Sequence, residues 1–227
     1  MLKEGVAASL TNQGRLLRQR GQTEAAWAHM QEAVHITRQL GDKQCLENAL
    51  SNLADVCADR GDFLAALQLA NEAECICREI GAQEQLQGAL GTKARVLQLS
   101  GHLDQAMQIR GEQERIFREM RITNGLQESL GAQAEILASR GQSTEALDFL
   151  DQQETMCREL DMPAELAWCL ANQASILTSA MGRPEEALSL AEKAFNLATD
   201  HGHIALAARI GGVLARVRMV LPRNSIE

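Results

Sequence analysis

The sequence predicts an all-α solenoid of five helix pairs followed by one closing helix. Three observations predict it. First, GQTEAA, GDFLAA, GHLDQA, GQSTEA and GRPEEA, opening at Gly21, Gly61, Gly101, Gly141 and Gly182, recur at spacings of 40, 40, 40 and 41 residues. Self-similarity at such a period marks a stacked repeat. Second, each interval holds two stretches with the apolar spacing of a helix face, and alternation of the strand kind is absent. Third, the 227 residues are 45% apolar but only 3% aromatic, with no Tyr, a composition suited to thin Ala/Leu layers between helices.

The first helix of each repeat is set by a four-then-three spacing: Leu10, Gly14, Leu17; Leu50, Ala54, Cys57; Leu90, Ala94, Leu97; Leu130, Ala134, Leu137; Leu170, Ala174, Leu177. These place first helices near 4–20, 44–60, 84–100, 124–140 and 164–181. The second helix carries a small residue at Ala26, Ala66, Ala106, Ala146 and Ala187, then Ile36, Ile76, Ile116, Met156 and Leu197. Second helices are expected near 23–40, 63–80, 103–120, 143–160 and 184–200, and small residues at fixed places on both let each pair approach closely. The extra residue before Pro184 fits a proline in the first turn of a helix, where no N–H is needed. A closing helix near 203–221 keeps the stripe Leu206, Ile210, Val213, Val217, Val220 and stops at Pro222. The array occupies 1–221 as one continuous domain, with repeats about 1–40, 41–80, 81–120, 121–161 and 162–202 and a short tail 222–227. Because the first repeat begins at residue 1 without a preceding cap, the sequence reads as an array excised from something longer.

These residues resemble the tetratricopeptide repeat: a Gly opens the inter-helix turn, a small Ala follows five residues later, and a Leu…Gly/Ala…apolar helix precedes them. The period of about 40, with ALSNLAD and REIGA, is similar to the longer-repeat branch of kinesin light chains, Leu-Gly-Asn spindle-orientation scaffolds and bacterial sensor regions. The resemblance implies a right-handed superhelical solenoid of five TPR-like helix pairs plus a C-terminal capping helix. It also implies binding of an extended peptide or protein segment in a concave groove lined by the first helices. The sequence departs from the pattern where family aromatics are replaced by Leu, Cys, Val or Ser. Repeat 3 has Arg110 where the others have Met30, Ala70, Leu150 and Ala191, so it is either weaker or adapted to a contact.

Candidate binding positions lie on the first helices. Asn12, Asn52 and Asn172 are equivalent; an Asn offers a donor and an acceptor to a bound backbone, or else bonds a neighbouring turn of the scaffold. Three residues on come Arg15, Asp55, Arg95, Glu135 and Ser175, whose alternating sign reads either as ion pairs between repeats or as selectivity for a partner of mixed charge. Trp168 stands where other repeats have Ala8, Asn48, Gly88 and Glu128, so it either anchors a ligand or packs on the adjoining helix. Trp27, equivalent to Leu67, Met107, Leu147 and Leu188, belongs to the core. Arg38, Arg78, Arg118 and Arg158 line the second helices, the last three each preceded at four residues by Glu74, Glu114 and Glu154, and read as a self-paired solvated face. Arg209, Arg216, Arg218 and Arg223 gather at the C-terminus, where they solubilise the cap or dock an acidic partner or second subunit.

The net charge of −8 disfavours nucleic acid and anionic membranes as partners, and the first twenty residues, MLKEGVAASLTNQGRLLRQR, are too charged for a secretion signal. The six Cys read as reduced cytosolic thiols, with Cys57, Cys77 and Cys157 at core positions. No HExxH, GxxxxGK[ST] or GxSxG occurs, and His201 and His203 lack a nearby Cys pair, so no catalytic residue, metal or cofactor is expected. The resulting expectation is a cytoplasmic, non-enzymatic interaction module. Asn12, Asn52 and Asn172 would hold backbone, and Arg15, Asp55, Arg95, Glu135 and Trp168 would select side chains. The alternatives are a ligand-sensing region of a larger ATPase or transcription regulator, and a scaffold that self-associates through its terminal helices.

Overall fold

The computed structural model describes residues 2–221, and among these every regular element is an α-helix. In chain order they are α1 (Leu2–Gln19), α2 (Thr23–Leu40), α3 (Lys43–Asp59), α4 (Phe63–Ile80), α5 (Gln83–Leu99), α6 (Leu103–Met120), α7 (Thr123–Ser139), α8 (Ser143–Glu159), α9 (Pro163–Ser179), α10 (Pro184–Asp200) and α11 (Ile204–Val220). Each end lies within two residues of the expectation from spacing. The expected stop at Pro222, Arg223 and the tail 222–227 lie outside the described residues.

The chain divides into two compact units, Met1–Ile116 and Phe117–Glu227. In the first, α1 packs on α2, α3 on α4, and successive pairs join through α2 on α3 and α4 on α5. In the second, α7 packs on α8, α8 on α9, α9 on α10, and α11 on both α9 and α10. Each layer therefore buries its apolar face against its sequence neighbours, as a repeat array must.

The turns explain the recurring glycines. Gly41 and Gly81 end α2 and α4 in the left-handed region at φ 69° and 67°, where a side chain is strained. The next residue then reaches back, as in Ala82 N–H donating to the Cys77 carbonyl at 3.0 Å. The same place in the next two repeats holds Arg121 (φ 57°) and Asp161 (φ 52°). These residues adopt the turn at a steric cost, and the same back-bonds form, Ile122 to Phe117 and Met162 to Cys157, both 2.9 Å. Asp42 and Asp62 cap α3 and α4 by accepting from the Cys45 and Ala65 amides. Pro163 and Pro184 open α9 and α10 in their first turn.

Close approach is achieved as the spacing requires: Ala26, Ala66, Ala106, Ala146 and Ala187 are all 0% exposed. On the first helices Leu50, Leu90, Leu130 and Leu170 are also buried. Bulk is traded between facing helices. Gly14 faces Met30, so that a Cβ at Gly14 would lie 2.7 Å from the Met30 Cε, whereas the equivalent pair in repeat 2 is Ala54 and Ala70. Likewise Gly131 makes room for Gln153, whose amide would lie 2.7 Å from a Cβ there.

Trp27 differs from its expectation as a core residue. It packs on the first unit's core but is half-buried, as are Leu67, Met107, Leu147 and Leu188 at the equivalent places, because this position lies at the edge of the buried face; the Arg60 guanidinium lies 4.6 Å from its ring.

Candidate functional site

The first helices of the first unit, α1, α3 and α5, present the expected row. Asn12 and Arg15 are exposed on α1, and neither side chain has a hydrogen bond or ion pair among the described residues. Asn52 is half-buried and its amide is turned along its own helix, donating to the Asn48 carbonyl at 2.8 Å and side-chain oxygen at 3.0 Å. Asp55 and Arg95 face each other across α3 and α5: the Arg95 Nη2 donates to Asp55 Oδ1 at 2.5 Å and to the Asp55 carbonyl at 3.2 Å.

Two residues that spacing did not single out complete this cluster. Arg18 donates from Nε to Asp59 at 2.5 Å and reaches Asp55 at 3.4 Å, and Arg95 reaches Asp59 at 3.3 Å. The network thus runs Arg18, Asp55, Asp59, Arg95 over three successive first helices. Partial burial works against the Arg18 charge, yet the hydrogen bond to Asp59 and the fields of both aspartates outweigh it and raise its pKa. Arg18 and Asp59 lie one helical turn beyond Arg15 and Asp55, so the i+3/i+4 neighbour was the available signal.

In the second unit, Glu135 on α7 is exposed, and neither it nor the half-buried Asn172 on α9 has a side-chain partner among the described residues. Trp168 packs on the core cluster of α9, α10 and α11 and is half-buried, with the Arg209 guanidinium 4.3 Å over its ring. The contact joins the second turns of α9 and α11.

The second helices spend their charges on one another. Arg78 pairs with Glu74 at 2.8 Å on its own helix and with Glu112 at 2.7 Å on the next second helix, Arg158 pairs with Glu154, and Arg38 crosses to Glu72 at 2.7 Å. Glu74 is partly desolvated, which alone would raise its pKa; hydrogen bonds from Lys93 and Arg78 overcome this and hold it below the usual value. Repeat 3 replaces apolar packing with a polar layer. Arg110 is buried and donates to Gln113 at 2.8 Å, and Gln113 donates to the Gln87 carbonyl at 2.8 Å beside Gly91.

All six cysteines are free thiols, and Cys57, Cys77, Cys157 and Cys169 are buried. Burial pushes Cys77 up to about 12 and Cys157 up to about 11, and raises Cys57 and Cys169. A nucleophilic thiol needs the opposite shift. His201 and His203 stack with ring centres 6.5 Å apart, and no group of three or more His, Cys, Asp or Glu among the described residues could hold a metal ion. No described helix is long and apolar enough to cross a membrane.

With this geometry in hand, the sequence matches the family described as the MalT-like TPR region over residues 3–217. The chain belongs to that family. No curated protein sequence matches it. Solved structures share the MalT-like TPR fold at low identity. The TPR-sensor-bearing signal transduction ATPase with numerous domains from Pyrococcus horikoshii has a TM-score of 0.74 at 13% identity, covering 96% of this chain and 34% of that one. A kinesin light chain protein of Podosopora anserina with nearly identical TPR-like repeats gives 0.70 at 18%, covering 88% and 98%. A Rap protein complexed with competence and sporulation factor gives 0.70 at 13%, covering 95% and 64%.

Proposed function

We propose that this MalT-like TPR array is a non-enzymatic interaction module of the cytoplasm that holds an extended polypeptide segment along the first helices. The observation that carries the reading is a division of labour. The second-helix arginines Arg38, Arg78 and Arg158 are consumed by ion pairs, whereas Asn12, Arg15, Glu135 and Asn172 on first helices keep polar groups turned to solvent that the scaffold does not use. Asn12, Asn52 and Asn172 hold the backbone of the segment. Asn52 does so by giving up its bond to Asn48, an exchange of one exposed hydrogen bond for another that costs little. Arg15, Asp55, Arg95, Glu135 and Trp168 select side chains, with Asp55 and Arg95 acting from within the network they form with Arg18 and Asp59. Free thiols suit a reducing compartment.

The test is capture of a partner from native lysate, identification of the retained segment, and titration of that segment against Asn12→Ala/Asn52→Ala. Affinity is expected to fall at least tenfold with helicity and melting unchanged; undiminished binding refutes the reading. A sensor role is the second reading. It is favoured by the alignment of nearly the whole chain with about a third of an ATPase that carries a tetratricopeptide repeat sensor.

A further inference from the structure

α11 differs in charge from every other described helix. It has no acidic residue, and it carries Arg209, Arg216 and Arg218 in a chain of net charge −8. Two of the three are engaged: Arg209 covers Trp168, and Arg218 pairs with Glu192 at 3.0 Å. Arg216 is exposed and has no partner among the described residues. It stands at a cleft of about 440 Å³ between α9 and α11, lined by Ser175, Thr178, Val213, Arg216, Val217 and Val220. That volume is in the range of ligand pockets. The wall from α9 turns its hydroxyl donors inward, Thr178 to the Ala174 carbonyl and Ser179 to the Ser175 carbonyl, both 2.8 Å. Arg216 is therefore the charged donor at a mouth that is apolar apart from the Ser175 hydroxyl, where Val220 is 58% and Met219 76% exposed.

Helical spacing extends the cleft into a strip. Trp168, Asn172, Ser175 and Ser179 follow one face of α9, and Arg209, Val213, Arg216 and Val220 follow one face of α11. Arg209 and Arg216 are seven residues apart, about 10 Å along the axis. A polyproline-II segment, with three residues per turn and a rise of about 3.1 Å per residue, covers that distance in about three residues and returns the side chain to the same face.

We propose that the α9–α11 strip docks an acidic, aliphatic polypeptide segment in the polyproline-II conformation: two carboxylates about three residues apart on Arg209 and Arg216, with an aliphatic side chain beside Arg216 in the cleft. An arginine stacked on a ring keeps its in-plane N–H groups for such a carboxylate, so Arg209 can serve both Trp168 and the ligand. Charge decides the occupant. A basic or neutral segment leaves Arg216 unpaired against apolar surface, whereas an acidic one supplies the missing counter-charge. The inference rests on the first helices being the docking face, and it adds the chemistry of the partner at this end. Failure of the Asn12/Asn52 test concerns residues of the other unit, so the two outcomes are distinguishable.

The probe is a dye-labelled, C-terminally amidated octapeptide with Glu-Leu-Leu-Glu at its centre, compared by fluorescence anisotropy with its Lys-Leu-Leu-Lys and Glu-Ser-Ser-Glu counterparts. The first is expected to bind saturably, at least tenfold tighter than either counterpart and more weakly at high salt. Arg216→Glu is expected to reduce affinity at least tenfold and Val220→Ser several-fold, while Arg218→Glu, off the strip, changes it less than threefold. All three are surface changes, and circular dichroism checks that the fold persists. Absence of saturable binding, equal binding of the lysine peptide, or an unaffected Arg216→Glu variant overturns the proposal. So does a concentration-dependent dimer abolished by Arg216→Glu, which would give the cleft to a second copy.

Discussion

The trade of bulk between Gly14 and Met30 can be tested by transplanting the solution used in the next repeat, where the same two places hold Ala54 and Ala70. Met30 is 0% exposed, so Met30→Ala alone empties a closed site and is expected to cost about 2–5 kcal/mol. Gly14→Ala alone gains about 1 kcal/mol of helix propensity. However, its Cβ meets the Met30 Cε at 2.7 Å, about 1 Å inside normal contact, an overpacking of the kind that costs about 1–3 kcal/mol. In the double variant the clash is gone, the new methyl fills part of the hole and the propensity gain is realised. The double variant is therefore expected to be less destabilised than the sum of the singles by about 1–3 kcal/mol. Urea melts followed by helical circular dichroism measure all four corners of the cycle, with equal slopes confirming that the same transition is being compared. Additivity within about 0.5 kcal/mol would refute the idea that these two sites were sized against each other.

Arg121→Gly and Asp161→Gly should each stabilise by about 0.5–1 kcal/mol, the left-handed strain of about 1–2 less the extra entropy of an unfolded glycine, read as a rise in melting temperature. Glu47 is buried, its desolvation raises its pKa despite the hydrogen bond from Ser51, and the equivalent places hold Gln87 and Gln127. A raised carboxyl pKa means the folded state binds its proton more tightly than the unfolded one, so this group works against folding once pH exceeds the unfolded value of about 4.3. Glu47→Gln should accordingly raise the urea midpoint at pH 7, and the gain should vanish as pH falls below that value. Exposed Cys45 and Cys75 should be the two thiols that react with a disulfide reagent in the native protein, with Cys45 slowed because its hydrogen bond to Asp42, burial and the Asp42 charge push it up to about 11. The four buried thiols should appear only in denaturant; a native count of six would contradict the packing.

The fold was legible because its determinants are local and repeated. The Gly at Gly21, Gly61, Gly101 and Gly141 marks a backbone conformation, and Leu50, Ala54 and Cys57 mark a buried face, so both survive as spacing. The candidate site was legible only to the level of helix and face. Asp55 and Arg95 could be placed on adjoining helices, but that Arg18 and Asp59 close the network depends on how far long side chains reach across a gap, which spacing does not encode. The choice of Asn52 to bond Asn48 is a rotamer preference within one helix. Arg209 and Trp168 are 41 positions apart, one repeat step, so their helices and faces follow from the period; that the guanidinium lies over the ring depends on side-chain reach, which spacing does not encode. The polar layer of Arg110, Gln113 and Gln87 was visible only as an anomaly at Arg110, because the compensating Gly91 looks like any other small residue.

The pairing of Gly14 with Met30 and of Gly131 with Gln153 bears on how such a chain can be copied and recombined. A duplication that carries a whole helix pair takes its matched sizes along and arrives functional. A crossover between the two helices of a pair would join a large residue to an Ala or strand a Gly beside an Ala, leaving a collision or a hole. The units of inheritance in this array are thus about forty residues long, framed on the turns, and drift within one of them must proceed through linked changes on two helices.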